Sequence, residues 1–450
     1  MNGKNKFISF IKLYFFKIFL IIIIVLSFEL NKIINYYTYN IDNFYKNSLN
    51  IKINIGIVSK SIKNGGIERA AALILYYFNK VKIFKLFLFT LFGKQDNEYF
   101  IDNNIERITF KNNLIGLIAQ KKIDILIYQL YNYKEINELN KIKNLKVVLI
   151  NNSCFLFWIY SNGFYYFKTY YEAYKNSQYT ISLVPFENDY LFKKWGINSI
   201  LIKNFIQYEY YDIVPSDLSS DIILMIGRGD DKFKRFDLGI KAMKFIVNDI
   251  PQSEMKLISN LNGLFFLKKL IKDLNIEKNI KFVGYTSNPS IYFKNASIHL
   301  FPTVCESFGN VLTETKIFGI PNILVGLDYV AASKGGTAII YDDSPLSIAK
   351  VAIKILKNKK YKKKLGLAAR NSMKKFNNIL ILKRWIKIIL SIYNGKEDYE
   401  KLRNKDKKIT DKEAINLIEK QINLLKYRNQ KFMNLTLKDV ENLTFMQNLK

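Results

Sequence analysis

The sequence predicts an α/β protein built from two successive nucleotide-binding-like domains. A buried-strand pattern at 51–59 runs into a loop that holds Gly65 and Gly66, and a helix pattern follows at 68–78. A second unit of the same kind begins with a strand at 222–226 and continues with a helix at 238–247. Strand, loop and helix in this order are typical of mostly parallel sheets. With 450 residues, the chain is long enough for two such domains and extensions.

Further elements continue this alternation along both halves of the chain. In the first half, strands are predicted at 81–90, 124–129, 146–151 and 179–184, with helices between them. In the second half, we expect a strand at 280–283, a helix at 288–295, a strand at 297–301, an αβ continuation through 324–329 and a helix at 379–394. Beyond residue 395 the chain is polar and charged, with one amphipathic helix pattern near 411–427. Repeated strand and helix patterns of this kind favour parallel sheets.

Composition excludes several classes of protein. Hydrophobic residues make up 49% and aromatic residues 15%, too much for a mainly disordered chain. The two cysteines, Cys154 and Cys305, lie far apart, so neither a disulfide scaffold nor a zinc site is expected. The single histidine, His299, alternates with apolar neighbours and is predicted to be a satisfied strand residue; a catalytic base is the alternative.

The formal charge of +31 does not by itself predict nucleic-acid binding. The lysines are scattered through the chain, the composition is typical of coding bias, and no nucleic-acid motif is present. Attraction to an anionic membrane surface is a second use of this charge. Coding bias without a function is the alternative, and we expect no nucleic-acid partner.

An N-terminal membrane anchor and stem are predicted over 1–48. Residues 13–28 are apolar apart from Lys17, and with 7–11 they approach the roughly 20 residues that span a bilayer. No small-residue cleavage site follows, so an uncleaved single-pass signal-anchor is expected. Basic residues before the apolar core favour a cytoplasmic N-terminus and a lumenal enzyme. A cytosolic enzyme held by a shallow helix is the alternative.

The most informative segment is 301–321, FPTVCESFGNVLTETKIFGIP. It places Glu306 and Glu314 eight positions apart, around a turn at Ser307, Phe308 and Gly309. A strand pattern precedes this turn and a helix pattern follows it, so we expect a helix to open near Gly309. The exposed N–H groups of a helix start form an anion site. The anion site would bind a phosphate, and the two carboxylates beside it can accept hydrogen bonds from hydroxyl groups. This combination indicates a sugar nucleotide.

A basic loop follows the strand at 222–226. It holds Arg228, Lys232 and Lys234. A guanidinium and an ammonium at the carboxyl end of a strand suit a diphosphate. A solvated basic loop is the alternative interpretation.

These motifs together resemble the retaining glycosyltransferases of family four, the glycogen-synthase and sucrose-synthase type with the GT-B fold. The resemblance rests on the glutamate-x7-glutamate pair, the turn and the Gly319 and Pro321 stop. It is strong over 220–394 and weaker over 51–215. It implies two facing Rossmann-like domains and a C-terminal cross-back helix. The expected divisions are an acceptor domain at 49–215, a nucleotide-sugar domain at 216–378, the cross-back helix at 379–394 and a charged helical tail at 395–450.

The resemblance also implies roles for individual residues. Arg228 and Lys234 would hold the leaving diphosphate, with Lys232 as a substitute for Lys234. Glu306 would bind the donor sugar, and Glu314 the ribose hydroxyls. Glu306, Arg228 and Lys234 are therefore the predicted catalytic residues.

Further substrate contacts follow from the same resemblance. Gly65 and Gly66 would lie over the donor diphosphate and border the acceptor. Asn152 takes a place where family members often carry a histidine that faces the donor sugar. Tyr285 follows the strand end where the backbone usually meets the nucleobase. The turn and helix start supply the remaining contacts: Ser307, Phe308, Gly309, Asn310 and Val311.

The resemblance thus implies a membrane-anchored retaining glycosyltransferase, a hexosyl or related transferase that works without a metal or another cofactor. Its donor would be a nucleoside-diphosphate sugar, with UDP or GDP favoured, and its acceptor a glycan, a lipid-linked carrier or a protein. Two alternatives stay open. One is an inverting or epimerase enzyme of the same fold, and the other is a catalytically silent membrane-bound binding protein.

Overall fold

A computed structural model describes residues 52–403, apart from short internal gaps, and the isolated positions 416 and 419. The gaps are 64, 151, 153–163, 186–195, 198, 211, 230–232, 261–263 and 287. The predicted anchor at 1–48, the helix near 411–427 and Lys232 therefore lie outside the described residues. Within the described part of the chain, no helix combines the length and apolar character needed to cross a bilayer.

The first sheet has seven parallel strands in the order β3-β2-β1-β4-β5-β6-β7. The strands are β1 Ile53–Ser59, β2 Phe84–Thr90, β3 Glu106–Thr109, β4 Ile125–Tyr128, β5 Lys146–Ile150, β6 Tyr179–Ser182 and β7 Ser199–Leu201. The helices among them are α1 Gly66–Phe78, α2 Leu114–Gln120, α3 Tyr133–Leu139 and α4 Phe164–Asn176. The apolar run of β1 is buried almost throughout, as expected for a central parallel strand covered on both faces.

The second sheet has six parallel strands in the order β10-β9-β8-β11-β12-β13. The strands are β8 Ile222–Ile226, β9 Glu254–Ile258, β10 Ile280–Phe282, β11 Ile298–Phe301, β12 Asn322–Val325 and β13 Thr337–Ile340. The helices are α5 Phe236–Asp249, α6 Phe265–Asp273, α7 Ser290–Phe293, α8 Asn310–Ile317, α9 Pro345–Lys357, α10 Lys359–Ser372, α11 Asn378–Asn394 and α12 Lys396–Arg403, with 3-10 turns at Glu277–Asn279 and Met373–Lys375. The prediction of two parallel-sheet α/β domains is confirmed.

Some predicted elements differ in extent from the observed ones. The helix expected at 288–295 is the single turn α7, and the strand at 324–329 begins earlier and ends earlier as β12. Strands β3, β7, β9 and β13 were not predicted. Strand β3 reads ERIT and is largely open to solvent at the sheet edge, so it lacks the apolar signal of a buried strand.

Helix α11 returns the chain to the first domain, as the cross-back prediction expects. Trp385 is buried and its ring lies 5.6 Å from that of Phe78 in α1, edge to face. At the start of α11, the buried Asn378 amide binds both backbone groups of Ile206. It accepts from the Ile206 N–H at 2.9 Å and donates to the Ile206 carbonyl at 2.9 Å. The domain boundary at residues 215 and 216 stays a prediction.

Candidate active site

The candidate site lies where the order of the second sheet reverses. Strands β8 and β11 are neighbours, while the chain passes outward from β8 to β9 and β10 before it returns. In open parallel sheets, ligands bind beyond the carboxyl ends of the strands at such a switch point. The loop after β8 carries Arg228 and Lys234, and the loop after β11 carries Glu306. The fold therefore brings the three predicted catalytic residues to one edge.

The turn before α8 has the geometry that the sequence predicts. Gly309 has φ +77° and precedes the first helical residue, Asn310. A Cβ at this glycine would lie 2.9 Å from a Val330 methyl group, so both backbone and space favour glycine. The first N–H groups of α8 have no partners within the helix and can bind an anion. Ser307 and Phe308 are buried, and the Phe308 ring packs against Phe376, so Phe308 can offer the site only its backbone.

Glu306 and Lys234 meet at this switch point. The Lys234 ammonium lies 3.1 Å from Glu306 Oε2, with side chains 21% and 23% exposed. The two loops are also tied by their backbones, since the Phe233 carbonyl accepts from the Thr303 hydroxyl at 2.8 Å and the Val304 N–H at 2.7 Å. The aliphatic part of the Lys234 side chain packs close to Gly227. A Cβ added at Gly227 would lie 3.3 Å from Lys234 Cγ. Glu306 and Lys234 thus form a fixed but accessible pair.

Arg228 is exposed and follows the end of β8. The next residue is anchored, because the Gly229 N–H donates to the Ser259 hydroxyl at 2.6 Å. Burial raises the pKa of Glu68 in α1, and the positive charge of Arg228 partly offsets this increase. A residue of the first domain therefore faces the predicted diphosphate-binding arginine.

Glu314 is held by an arginine of the first domain. Its side chain is 2% exposed, and its Oε1 pairs with Arg69 from α1. Glu314 Oε2 is buried and has no hydrogen-bond partner within the described residues. The prediction for Glu314 did not include this ion pair, which joins residues 245 positions apart.

The glycine loop lies against the start of α8. The Asn310 amide donates to the Gly66 carbonyl at 3.1 Å, and a Cβ at Gly66 would lie 3.3 Å from the same nitrogen. Gly65 precedes α1 in an extended conformation, and its carbonyl accepts the Arg69 N–H at 3.0 Å. The structure therefore places both glycines at the predicted interface between the two domains.

Asn152 also reaches the turn. Its carbonyl accepts a hydrogen bond from the Ser307 hydroxyl at 3.2 Å. Its side-chain Nδ2 is buried without a hydrogen-bond partner among the described residues. Its backbone N–H lies 2.6 Å from the Tyr131 hydroxyl oxygen, to which it donates. Asn152 is thus positioned with an unused amide donor next to the predicted donor-sugar position.

Residues 209–372 match the model of the family described as glycosyl transferases group 1. Over that range the chain is similar to this family. The matched range holds Arg228, Lys234, Glu306 and Glu314, so the family match and the geometry indicate the same part of the molecule.

Curated relatives match parts of the chain. Poly(glycerol-phosphate) alpha-glucosyltransferase from Bacillus subtilis is 22% identical over 170 residues, 37% of this chain and 25% of that protein. N-acetylgalactosamine-N,N'-diacetylbacillosaminyl-diphospho-undecaprenol 4-alpha-N-acetylgalactosaminyltransferase from Campylobacter jejuni is 33% identical over 120 residues, 26% of this chain and 30% of that protein. This chain therefore spans less than a third of either relative's length.

Solved structures show the fold over most of the chain. Sucrose-phosphate synthase from Thermosynechococcus elongatus is similar with a TM-score of 0.62 at 15% identity, over 76% of this chain and 100% of that one. HepE from Anabaena, in complex with UDP and glucose, is similar with a TM-score of 0.62 at 14% identity, over 75% of this chain and 100% of that one. A TarM variant from S. aureus, in complex with Fondaparinux, alpha-GlcNAc-glycerol and UDP, is similar with a TM-score of 0.55 at 19% identity. This similarity covers 64% of this chain and 60% of that one. The part of the chain that these structures cover has the GT-B fold.

His299 belongs to the core of the second domain. It is buried in β11, and its Nδ1 lies 2.6 Å from Asn322 Oδ1, so Nδ1 carries the proton. Burial lowers the pKa of His299 to about 4, although the Asn322 hydrogen bond opposes this shift. The histidine is therefore neutral near pH 7. The prediction of a strand residue is confirmed, and the position inside β11 gives no support to a catalytic base.

Lys316 is a buried residue that the sequence analysis missed. It lies two positions after Glu314 in α8, and its ammonium donates to the carbonyls of Ala332 and Lys334, the latter at 3.0 Å. Burial, and then the charge of Lys375, lower the pKa of Lys316 to about 7. These bonds hold the loop after β12 against α8. In the sequence Lys316 directly follows Thr313, Glu314 and Thr315, so no apolar pattern marked it as a buried residue.

Two tyrosines, Tyr99 and Tyr208, lie near the Arg69 and Glu314 pair. The Arg69 guanidinium lies 5.1 Å from the ring centre of Tyr99. Burial, and then the Glu314 charge, raise the pKa of Tyr208, and the Tyr285 hydroxyl is buried without a hydrogen-bond partner in the described part of the chain. Tyr285 was predicted at the strand end that meets the nucleobase, whereas Tyr99 and Tyr208 were not predicted. Across the described ranges, no group of three or more His, Cys, Asp or Glu could hold a metal ion.

Proposed function

We propose that the protein transfers a sugar from a nucleoside-diphosphate sugar to a hydroxyl-bearing acceptor, with retention of the anomeric configuration. One observation carries this proposal: Lys234 and Glu306 lie in contact at the switch point, beside Arg228 and the helix start at Gly309. Cations and helix N–H groups suit a diphosphate, and a carboxylate suits sugar hydroxyls. The group 1 family match over 209–372 supports the same class of reaction.

In the proposed reaction, the acceptor oxygen forms a bond to the anomeric carbon while the bond from that carbon to the diphosphate oxygen breaks. Negative charge grows on the departing diphosphate. Arg228, Lys234 and the N–H groups at the start of α8 would stabilise this charge. The acceptor proton passes to the leaving phosphate, so the transfer needs no histidine base. Glu306 would hold the donor sugar in place, with Lys234 keeping its carboxylate near the cleft.

The donor base and the acceptor are part of the proposal. We favour UDP, because HepE and the TarM variant, which share the fold, are described in complex with UDP; GDP is the other candidate. The acceptor would be a glycan, a lipid-linked carrier or a protein. The names of the two curated relatives include a glycerol phosphate polymer and a diphospho-undecaprenol carrier.

We also propose that the apolar segment 13–28 anchors the chain in a membrane, with the side that holds the catalytic domains left open. A full-length chain and a variant lacking residues 1–28 would be separated into membrane and soluble fractions. Recovery of only the full-length chain with membranes, even after a high-salt wash, supports the anchor. Equal recovery of both in the soluble fraction contradicts it.

The test of the function uses the full chain with UDP-sugars and GDP-sugars and a panel of hydroxyl acceptors. NMR of the product gives the anomer of the new glycosidic bond. The same anomer as in the donor supports retention, and the opposite anomer indicates an inverting enzyme. Nucleotide binding without any transfer or donor cleavage would favour a silent binding protein.

A further inference from the structure

The first turn of α1 makes two contacts with the predicted donor site of the other domain. The Gly66 carbonyl accepts from the Asn310 amide, and Arg69 pairs with Glu314. The Arg69 side chain is 12% exposed. A segment of the first domain therefore reaches the groups that the donor would contact in the second.

The Arg69 and Glu314 pair is enclosed by protein. Burial alone would lower the pKa of Arg69, but the Glu314 carboxylate and then Tyr99 raise it above its ordinary value, so Arg69 stays charged. Removing one member of a buried ion pair leaves the other charge uncompensated. Glu314 therefore depends on Arg69 to remain a buried carboxylate.

The pair leaves two polar atoms unused. Glu314 Oε2 and Arg69 Nε are both buried, and neither has a hydrogen-bond partner within the described residues. Buried polar atoms are nearly always satisfied in folded proteins. Because Oε1 is occupied by Arg69, the free Oε2 is the atom that could accept a hydroxyl group.

We propose that Arg69 is a positioning residue for the donor ribose, contributed by the domain opposite the one that holds the nucleotide. Arg69 binds one oxygen of Glu314 and leaves Oε2 to accept a ribose hydroxyl. The proposal rests on the proposed function, since it requires a ribonucleotide donor. It adds that the ribose subsite is complete only when the two domains are in contact.

In the opposite role, Arg69 would block the ribose subsite, and the ribose hydroxyls would have to displace Arg69 from Glu314. That exchange would replace a charge-assisted contact by neutral ones and leave a buried guanidinium without its carboxylate. The unpartnered Oε2 makes such an exchange unnecessary. The two roles predict opposite effects of removing the arginine.

The test measures dissociation constants of the full chain for UDP, GDP and their 2′-deoxy and 3′-deoxy forms. The wild-type chain is expected to prefer a ribonucleotide over at least one deoxy form by on the order of tenfold, as for one hydrogen bond to a charged group. The Arg69→Ala variant should lose that preference and bind the deoxy form about as well as wild type does. Arg69→Lys should recover part of the preference.

A matched control is Arg107→Ala, which breaks an ion pair with Glu98 inside the first domain, at 18% and 7% exposure. It should keep the wild-type preference. In a Glu314→Gln background, Arg69→Ala should change the preference little, because both act on one contact. This cycle keeps the proposal testable if Arg69→Ala alone folds poorly in thermal unfolding.

The outcomes separate the two proposals. Ribonucleotide binding by wild type, with an unchanged preference in folded Arg69→Ala, overturns the role of Arg69 but leaves the proposed function standing. Tighter ribonucleotide binding by Arg69→Ala also overturns it, in favour of a block. A wild-type chain that binds none of the nucleotides overturns both proposals.

Discussion

The ammonium of Lys234 lies 3.1 Å from a carboxylate oxygen of Glu306, so the loops after two neighbouring strands are joined by opposite charges. The two residues are 72 positions apart in the chain. Both side chains are only partly exposed, yet neither is sealed from solvent. A ligand entering the cleft meets a cation and a hydrogen-bond acceptor held side by side, which is the arrangement a charged leaving group next to a sugar requires.

Replacing Glu306 by Gln should lower turnover by roughly 10²-fold, the cost of one positioned transition-state contact. The amide keeps the shape but loses the charge that holds Lys234. Initial rates of sugar transfer at saturating donor would check this. The exposed Glu277→Gln is the control and should be unaffected. Near-normal turnover in Glu306→Gln would show that the carboxylate has no part in the chemistry.

Replacing Arg228 by Ala should weaken nucleoside-diphosphate binding, because the phosphate loses a charged donor. In wild type, nucleotide at about 100 times its dissociation constant should add roughly 2.7 kcal/mol of stability. Thermal unfolding with UDP and GDP would show a smaller shift for Arg228→Ala. The exposed Lys272→Ala should keep the full shift. An equal shift in both variants would contradict the phosphate-binding role of Arg228.

His299 predicts a loss of stability in mild acid. Its folded pKa, about 4, lies below its ordinary value of 6.5, so the unfolded state binds more protons between these values. Stability from this residue is full above about pH 6.5 and falls as the pH drops, by about 2 kcal/mol at pH 5. Urea unfolding of wild type and His299→Gln at pH 7.5 and pH 5 would measure it. The same acid loss in both chains would exclude His299 as its source.

Lys316 predicts a gain of stability in mild base. Its folded pKa, about 7, lies below its ordinary value of 10.5, so the unfolded state holds the proton more tightly in this window. Stability should rise by about 3 kcal/mol between pH 7.5 and pH 10. Lys316→Met should be as stable as wild type or more so at pH 7.5, and should lack this rise. Unfolding curves at both pH values check it; a variant with the wild-type rise would contradict the assignment.

Local sequence patterns carried much of the fold. The apolar run of β1 and the glycine before α8 were expected from nearby residues. The return of the helix that carries Trp385 to the first domain was expected from the family resemblance. Strand β3 was missed because its exposed edge position leaves no apolar signature. The anchor prediction at 1–48 lies outside the described residues and stays a prediction.

The sequence predicted those residues of the candidate site that belong to a local motif, but not the contacts between distant parts of the chain. Glu306 and Glu314 stand in one segment, and Lys234 follows a recognisable strand end. Arg69 could not be placed against Glu314, since the contact joins distant parts of the chain and depends on how the two domains face each other. A charged residue beside Gly65 and Gly66 was visible, but nothing local indicated its partner.

The Asn378 side chain has a consequence for how the cleft can open. It binds the N–H and the carbonyl of Ile206 at the same time, at 2.9 Å each. These bonds join the two segments of the chain that pass between the domains. Sliding one of these segments past the other would break both hydrogen bonds, whereas a rotation about Asn378 need break neither. Asn378 therefore acts as a pivot, and displacement between the domains should be smallest beside it and grow with distance toward the mouth of the cleft.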